Sequence, residues 1–291
     1  MRIEDYPPQE PLSPLGAAYQ ARILALGEGI EGREASYGDD PYQSLTVFEP
    51  ARPTGGVLLF WHGGGWTSGY KEWMHFMAPA FTAQGITFVS AGYRLAPQHV
   101  FPVNRDDCAD AVAWVHENLG GPGLRLFIGG HSAGAHLAAL LAVTSDWRTP
   151  RGLPAMPLAG CLPVSGTYRF GEGSGLAVRP RFLGPVQDGR AELLASPLAQ
   201  LDARACPPFL VTHGSRDFPH LVTQAGEFAA ALRAAGVPVQ VQVLEGCDHF
   251  EASVACGDTT GGWVSHAVAW MRSQVGKPTS SATTATTGEE R

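Results

Sequence analysis

The chain of 291 residues suits one large domain or two small ones, and 44% hydrophobic against 16% charged residues excludes wholesale disorder. Its 36 glycines and 23 prolines are dispersed without a collagen-like period, so many shaped loops are expected. A net charge of −7 offers no basic footprint to nucleic acid or anionic lipid, and neither is expected as a partner.

Residues 1–40 begin with acidic residues and prolines where a secretion signal has a basic region and an apolar run, and they read as an extension contributing to a cap. Residues 41–275 read as the main domain. Within it, short runs rich in Val, Ile, Leu and Phe predict strands over Val57 to Trp61, Ile86 to Ser90, Leu124 to Ile128, Leu158 to Val164, Phe209 to His213 and Val239 to Leu244. Their near-continuous apolarity predicts burial on both faces. Three- and four-residue steps predict helices through Cys108, Ala111, Val112, Val115 and Leu119, through Leu221, Ala225, Phe228 and Leu232, and through Val264, Val268, Met271 and Val275. This alternation is that of a mostly parallel sheet flanked by helices, an α/β fold.

Residues 167–197, rich in Gly, Arg and Pro, interrupt the rhythm and read as a small cap or lid. The Ser- and Thr-rich tail, 276–291, is expected to be disordered. Leu126 to Ser145 has no charged residue over a membrane-span length, but its Gly129-Gly130-His131-Ser132 turn fits a buried strand, turn and helix better than a membrane segment. Five widely spaced cysteines without a CxxC pair or a metal-like cluster point to a reducing cytoplasm. No H-E-x-x-H or dinucleotide-binding pattern is present, so no metal or cofactor is expected.

The chemistry-bearing signals lie at the ends of the predicted strands. Gly130-His131-Ser132-Ala133-Gly134 follows one strand and precedes the helical run Ala135 to Val143. Small residues on either side of a serine permit a sharp strand-to-helix turn that exposes its hydroxyl at the positive end of a helix. Upstream, His62-Gly63-Gly64-Gly65-Trp66 follows another strand; its glycines let amide groups converge on an oxyanion, with Gly64, Gly65 and Ala133 as the expected donors. A nucleophilic serine needs a base and an acid to orient that base, and Asp217 and His249 follow in the order Ser, Asp, His after the last two predicted strands. Asp248 is the rival acid, but its position beside His249 suits a loop role better. His62 is expected to hold the glycine loop, and His136 to line a pocket or sit hydrogen-bonded in the core.

These residues resemble those of the α/β-hydrolase superfamily, and within it the hormone-sensitive-lipase-like carboxylesterases and the arylformamidases (kynurenine formamidases). Tyr93-Arg94-Leu95-Ala96-Pro97, Phe101-Pro102 and Asp107 resemble the first group. Gly130 to Ala139, Asp146-Trp147, Val164-Ser165-Gly166, Ser196-Pro197-Leu198 and Asp248-His249-Phe250 resemble the second. The resemblance implies an α/β-hydrolase fold and a serine hydrolase acting on short-chain acyl esters or aryl formamides through an acyl-enzyme. It implies a triad of Ser132, Asp217 and His249, an oxyanion hole at Gly64, Gly65 and Ala133, and substrate contacts from Trp66, Phe218 and His131. The expected partner is a small-molecule ester or amide, and a homodimer is compatible with it. Acyl transfer to another acceptor, or a non-catalytic ligand-binding protein on the same fold, are the alternatives.

Overall fold

The computed structural model of the protein describes residues 3–121 and 123–274; Val275 and the tail expected to be disordered lie outside the described residues. After a first helix, α1 (Pro14–Gly27), the chain forms β1 (Arg33–Ser36), β2 (Ser44–Phe48) and β3 (Gly56–Trp61). A 3₁₀ stretch (Lys71–Met77) leads into α2 (Ala78–Thr82), β4 (Thr87–Ala91), α3 (Val103–Asn118), β5 (Arg125–His131) and α4 (Ala133–Val143). Then come β6 (Gly160–Val164), α5 (Arg190–Ala195), β7 (Phe209–Gly214), α6 (Pro219–Ala234), β8 (Val239–Leu244), α7 (His249–Val254) and α8 (Gly262–Ser273).

The eight strands form one sheet in the order β1-β2-β4-β3-β5-β6-β7-β8. β1 pairs antiparallel with β2, and β2 with β4, whereas every pairing from β4 to β8 is parallel. The strands β2 to β7 are apolar because helices cover both faces. Val57, Leu59 and Trp61 of β3 pack with residues of α3, α4 and α6, while Leu58 and Phe60 pack with residues of α1, α2 and α8. Trp263 of α8 is fully buried, and its indole N–H donates to Thr212 Oγ1 of β7 at 3.1 Å, so burial of this ring leaves its donor satisfied.

Two expectations are corrected. β1 lies inside residues 1–40, so the sheet begins before residue 41. β8 is an edge strand in which only Leu244 is buried and Val241 and Val243 are exposed, so its apolar sequence does not mean burial on both faces. The segment 167–197 carries a short 3₁₀ turn (Arg181–Leu183) and α5, and its Phe170 and Phe182 pack on Trp66.

Candidate active site

β5 ends in a turn whose sharpness dictates its small residues. A Cβ on Gly130 would lie 2.3 Å from the Gly134 carbonyl carbon, and one on Gly134 would lie 2.3 Å from Trp61 O. The helix start therefore rests against the backbone of both β5 and β3. Between these glycines Ser132 takes φ 54° and ψ −113°, a left-handed conformation costly for any side chain. Its amide N–H donates to Val164 O at 2.9 Å, which ties the turn to the end of β6.

The Ser132 hydroxyl donates to His249 Nε2 at 3.0 Å, and His249 Nδ1–H donates to Asp217 Oδ1 at 2.9 Å. Asp217 follows β7 and His249 opens α7, so the three residues meet at the carboxyl ends of parallel strands, where open α/β sheets place their ligands. Asp217 is buried, which opposes its ionisation; donors from His249, the His249 charge, the Ser165 hydroxyl and the Phe218 N–H outweigh burial and hold its carboxyl below the usual range. Asp248 plays a separate, structural part, because its carboxylate caps α7 by accepting from Phe250 N and Glu251 N, and Glu251 returns the bond to Asp248 N.

The glycine loop lies beside this chain of hydrogen bonds. Gly64 has φ 105°, and a Cβ there would sit 2.0 Å from Ser68 O, so only glycine fits the turn. Ser68 N–H and Thr67 N–H both close on Gly64 O. Among the described residues the amides of Gly64, Gly65 and Ala133 donate to no protein acceptor. For Ala133 this follows from its place at the first turn of α4, where helix amides have no intrahelical partner. His62 lies under the loop, fully buried, with its Nδ1–H on Gly63 O at 2.7 Å and its ring stacked 4.5 Å from Tyr93; burial lowers its pKa to about 4.

Trp66 also has positive φ and is buried, stacked 4.3 Å from Phe182. Its indole N–H donates to His136 Nδ1 at 3.0 Å, and His136 Nε2–H donates to Ala195 O at 2.7 Å. This fixes one neutral tautomer of His136, which joins the glycine loop to Ala195 at the end of α5; burial lowers its pKa to about 4. Phe218 is 45% exposed, with its ring 4.8 Å from that of His249. His131 departs from its expected place on the substrate. It is only 2% exposed, its Nε2–H donates to the His249 carbonyl at 2.9 Å, and its ring lies under that of His249, so it props the base loop from below.

A family model described as alpha/beta hydrolase fold matches residues 58–253. The chain belongs to the α/β-hydrolase family. Esterase LipC of Mycobacterium tuberculosis is 33% identical over 229 residues, covering 70% of this α/β-hydrolase and 56% of LipC. The kynurenine formamidase of Danio rerio is 26% identical over 245 residues, covering 79% of this chain and 81% of the formamidase. The chain thus spans little more than half the length of LipC but most of the formamidase. A bacterial heroin esterase superposes with a TM-score of 0.70 at 25% identity, over 89% of this chain and 90% of that one. An arylesterase structure gives a TM-score of 0.70 at 23% identity, over 89% and 92%, a likeness of fold.

Two residues beside this α/β-hydrolase site received no role in the sequence reading: Gln9 carries no motif, and Ser165 enters only within Val164-Ser165-Gly166. Ser165 lies beside Asp217 through a fold contact between residues 52 apart. Gln9 reaches the glycine loop from the amino-terminal segment: its Nε2–H₂ donates to Gly69 O and to Tyr42 Oη, and its Oε1 accepts from Gly69 N–H, each at 2.8 Å. The Tyr93-Arg94 motif is structural, since the Arg94 guanidinium and amide both bond the fully buried Asp107 carboxylate. No group of His, Cys, Asp and Glu among the described residues has the arrangement of a metal site. No described helix is long and apolar enough to cross a membrane.

Proposed function

We propose that the protein is a serine hydrolase that removes a short acyl group from an ester or an aryl formamide through an acyl-enzyme. The observation that carries this reading is the continuous Ser132–His249–Asp217 hydrogen-bonded chain beside three unpartnered amides. In this reading Ser132 Oγ attacks the substrate carbonyl while His249 Nε2 takes its proton. The amides of Gly64, Gly65 and Ala133 hold the resulting oxyanion, and removing one such donor typically costs about 10²- to 10³-fold in rate. Collapse expels the leaving group, which takes the proton back from His249. Water then repeats the sequence on the acyl-enzyme, releasing the acid and restoring the Ser132 hydroxyl.

In this reading two aromatic side chains set the substrate's size and shape. Trp66, fixed by His136 and packed on Phe182, bounds the acyl side and suits formyl or acetyl better than a long chain. Phe218, exposed beside His249, offers an aromatic face to the leaving group. The likeness to a kynurenine formamidase over most of its length favours aryl formamides beside simple esters. Five free cysteines support a reducing, cytoplasmic setting.

The test compares kcat/KM for an N-formyl anilide, such as N-formylkynurenine, with that for p-nitrophenyl acetate, using Ser132→Ala as background. Turnover of either substrate by the wild type, lost in Ser132→Ala with its circular dichroism unchanged, is expected. A fluorophosphonate should label the wild type and spare the variant. Retained turnover in the folded variant overturns the nucleophile, and a wild type that neither turns over nor labels points to a ligand-binding protein.

A further inference from the structure

We propose that Ser165 is a positioning residue for this reaction, whose hydroxyl holds the Asp217 carboxylate aimed at His249. The inference rests on the triad reading above and extends it by a fourth member. Ser165 is 1% exposed and follows the last residue of β6. Its Oγ–H donates to Asp217 Oδ2 at 2.5 Å. The other carboxylate oxygen accepts from His249 Nδ1–H at 2.9 Å and from Phe218 N–H at 2.7 Å. With donors on both oxygens the carboxylate cannot swing about its Cβ–Cγ bond without breaking a buried, charge-assisted bond.

The backbone supports the same assignment. Ser165 has φ 56°, and among the described residues only Trp66 and Ser132 share a positive φ without being glycine. Those two lie in the glycine loop and at the nucleophile, and strained backbone of this kind gathers at working sites. Glycine would suit the Ser165 backbone better; what glycine lacks is the hydroxyl. The conformation is held by Ser165 N–H donating to Thr212 O of β7 at 2.8 Å. The preceding residue, Val164, accepts the Ser132 N–H, so consecutive residues at the end of β6 tether the nucleophile and the acid.

Removing the hydroxyl withdraws a donor from a carboxylate that faces an imidazole. The local potential becomes more negative, which favours imidazolium over neutral imidazole. Other titratable groups packed around the pair do not compensate. His131 of β5 and His220 of α6 have pKa values lowered first by burial and then by the His249 charge, and Tyr168, beyond β6, is raised by burial. All three are neutral where the enzyme would work. Asp248, Glu251 and Arg216 lie around the start of α7, with Arg216 paired to Glu251, and remain in place in the variant.

The experiment measures p-nitrophenyl acetate hydrolysis against pH for wild type, Ser165→Ala, Ser165→Gly, Asp217→Ala and Ser132→Ala, with thermal melts to confirm folding. Both Ser165 variants are expected to lose about tenfold or more in kcat with KM unchanged, and to shift the acid limb of kcat/KM to higher pH. Ser165→Gly also relieves the positive φ, so it keeps the test open if Ser165→Ala folds poorly. Wild-type kcat and an unmoved acid limb in Ser165→Ala overturn the proposal, as does recovery by Ser165→Gly of what Ser165→Ala loses. In either case inactive Ser132→Ala and Asp217→Ala leave the triad reading standing, whereas activity in those two removes the triad itself.

Discussion

Ser132 combines partial exposure with a backbone that no side chain favours. Its φ of 54° and ψ of −113° cost on the order of 1–3 kcal/mol, and the cost falls on any residue with a Cβ. Ser132→Ala therefore keeps the strain, while Ser132→Gly sheds it and gives back part of the gain as unfolded-chain entropy. Ser132→Gly is expected to be about 1 kcal/mol more stable than Ser132→Ala in urea unfolding. Equal stability of the two would mean that the turn stores no strain. The flanking glycines predict the opposite sign. Gly134→Ala drives a Cβ to 2.3 Å from the Trp61 carbonyl oxygen, which is backbone and cannot turn aside. A loss of about 3 kcal/mol or more is expected, visible as a lowered urea midpoint or insoluble expression. His131, between a glycine and the serine, is read differently at this scale: its imidazole supports the His249 carbonyl from within the fold.

Among the elements, the amino-terminal segment acts on the site without touching its hydrogen-bonded chain. Gln9 grips both the N–H and the C=O of Gly69, at the far side of the loop that carries Gly64 and Gly65. A Cβ on Gly69 would lie 2.3 Å from His62 Nδ1, so this part of the loop is packed against the histidine beneath it. Gln9→Ala is expected to lower kcat about threefold to tenfold, with KM and the melting curve little changed, because loss of two part-buried backbone bonds loosens the amides that the proposed mechanism uses as oxyanion donors. Unchanged kcat would show that Ser68 and His62 suffice to hold the loop. The inner strands were legible in sequence because burial on both faces leaves uninterrupted apolar runs, as in Gly56–Trp61 and Phe209–Gly214. β1 was not, since Arg33–Ser36 is a polar, exposed edge without a pattern. The positions of Ser132, Asp217 and His249 followed from strand ends and chain order. The contacts of Gln9 with Gly69 and of Ser165 with Asp217 did not, because each joins residues 52 or more positions apart.

For the molecule as a whole, the same packing that builds the site makes the fold sensitive to acid. His62, His131 and His136 are buried under the glycine loop, next to Ser132 and along α4, and burial lowers their pKa values to about 4, 3 and 4. Each is neutral in the folded protein, whereas in the unfolded chain a histidine titrates near ~6.5. The unfolded state therefore binds the extra protons as pH falls. Stability is full above that value and declines as pH drops toward the folded values, by about 1.4 kcal/mol per pH unit for each histidine. Three such groups together predict a loss of about 4 kcal/mol per pH unit across the steep part, near pH 6 to 4.5. Asp217 has the same sign at lower pH, since its depressed carboxyl contributes above the ordinary carboxylate range and is lost only when it too is protonated. Exposed pairs such as Arg204–Asp202 and Arg216–Glu251 contribute little, so added salt should leave the curve nearly unmoved. Thermal melts between pH 7 and 4.5 are expected to show a steep fall in Tm that salt at about 0.5 M does not reverse, on the order of the shifts above. A Tm that stays level to pH 4.5 would mean that these histidines find acceptors inside the fold that let them take up a proton, and would detach the site's buried framework from the protein's acid response.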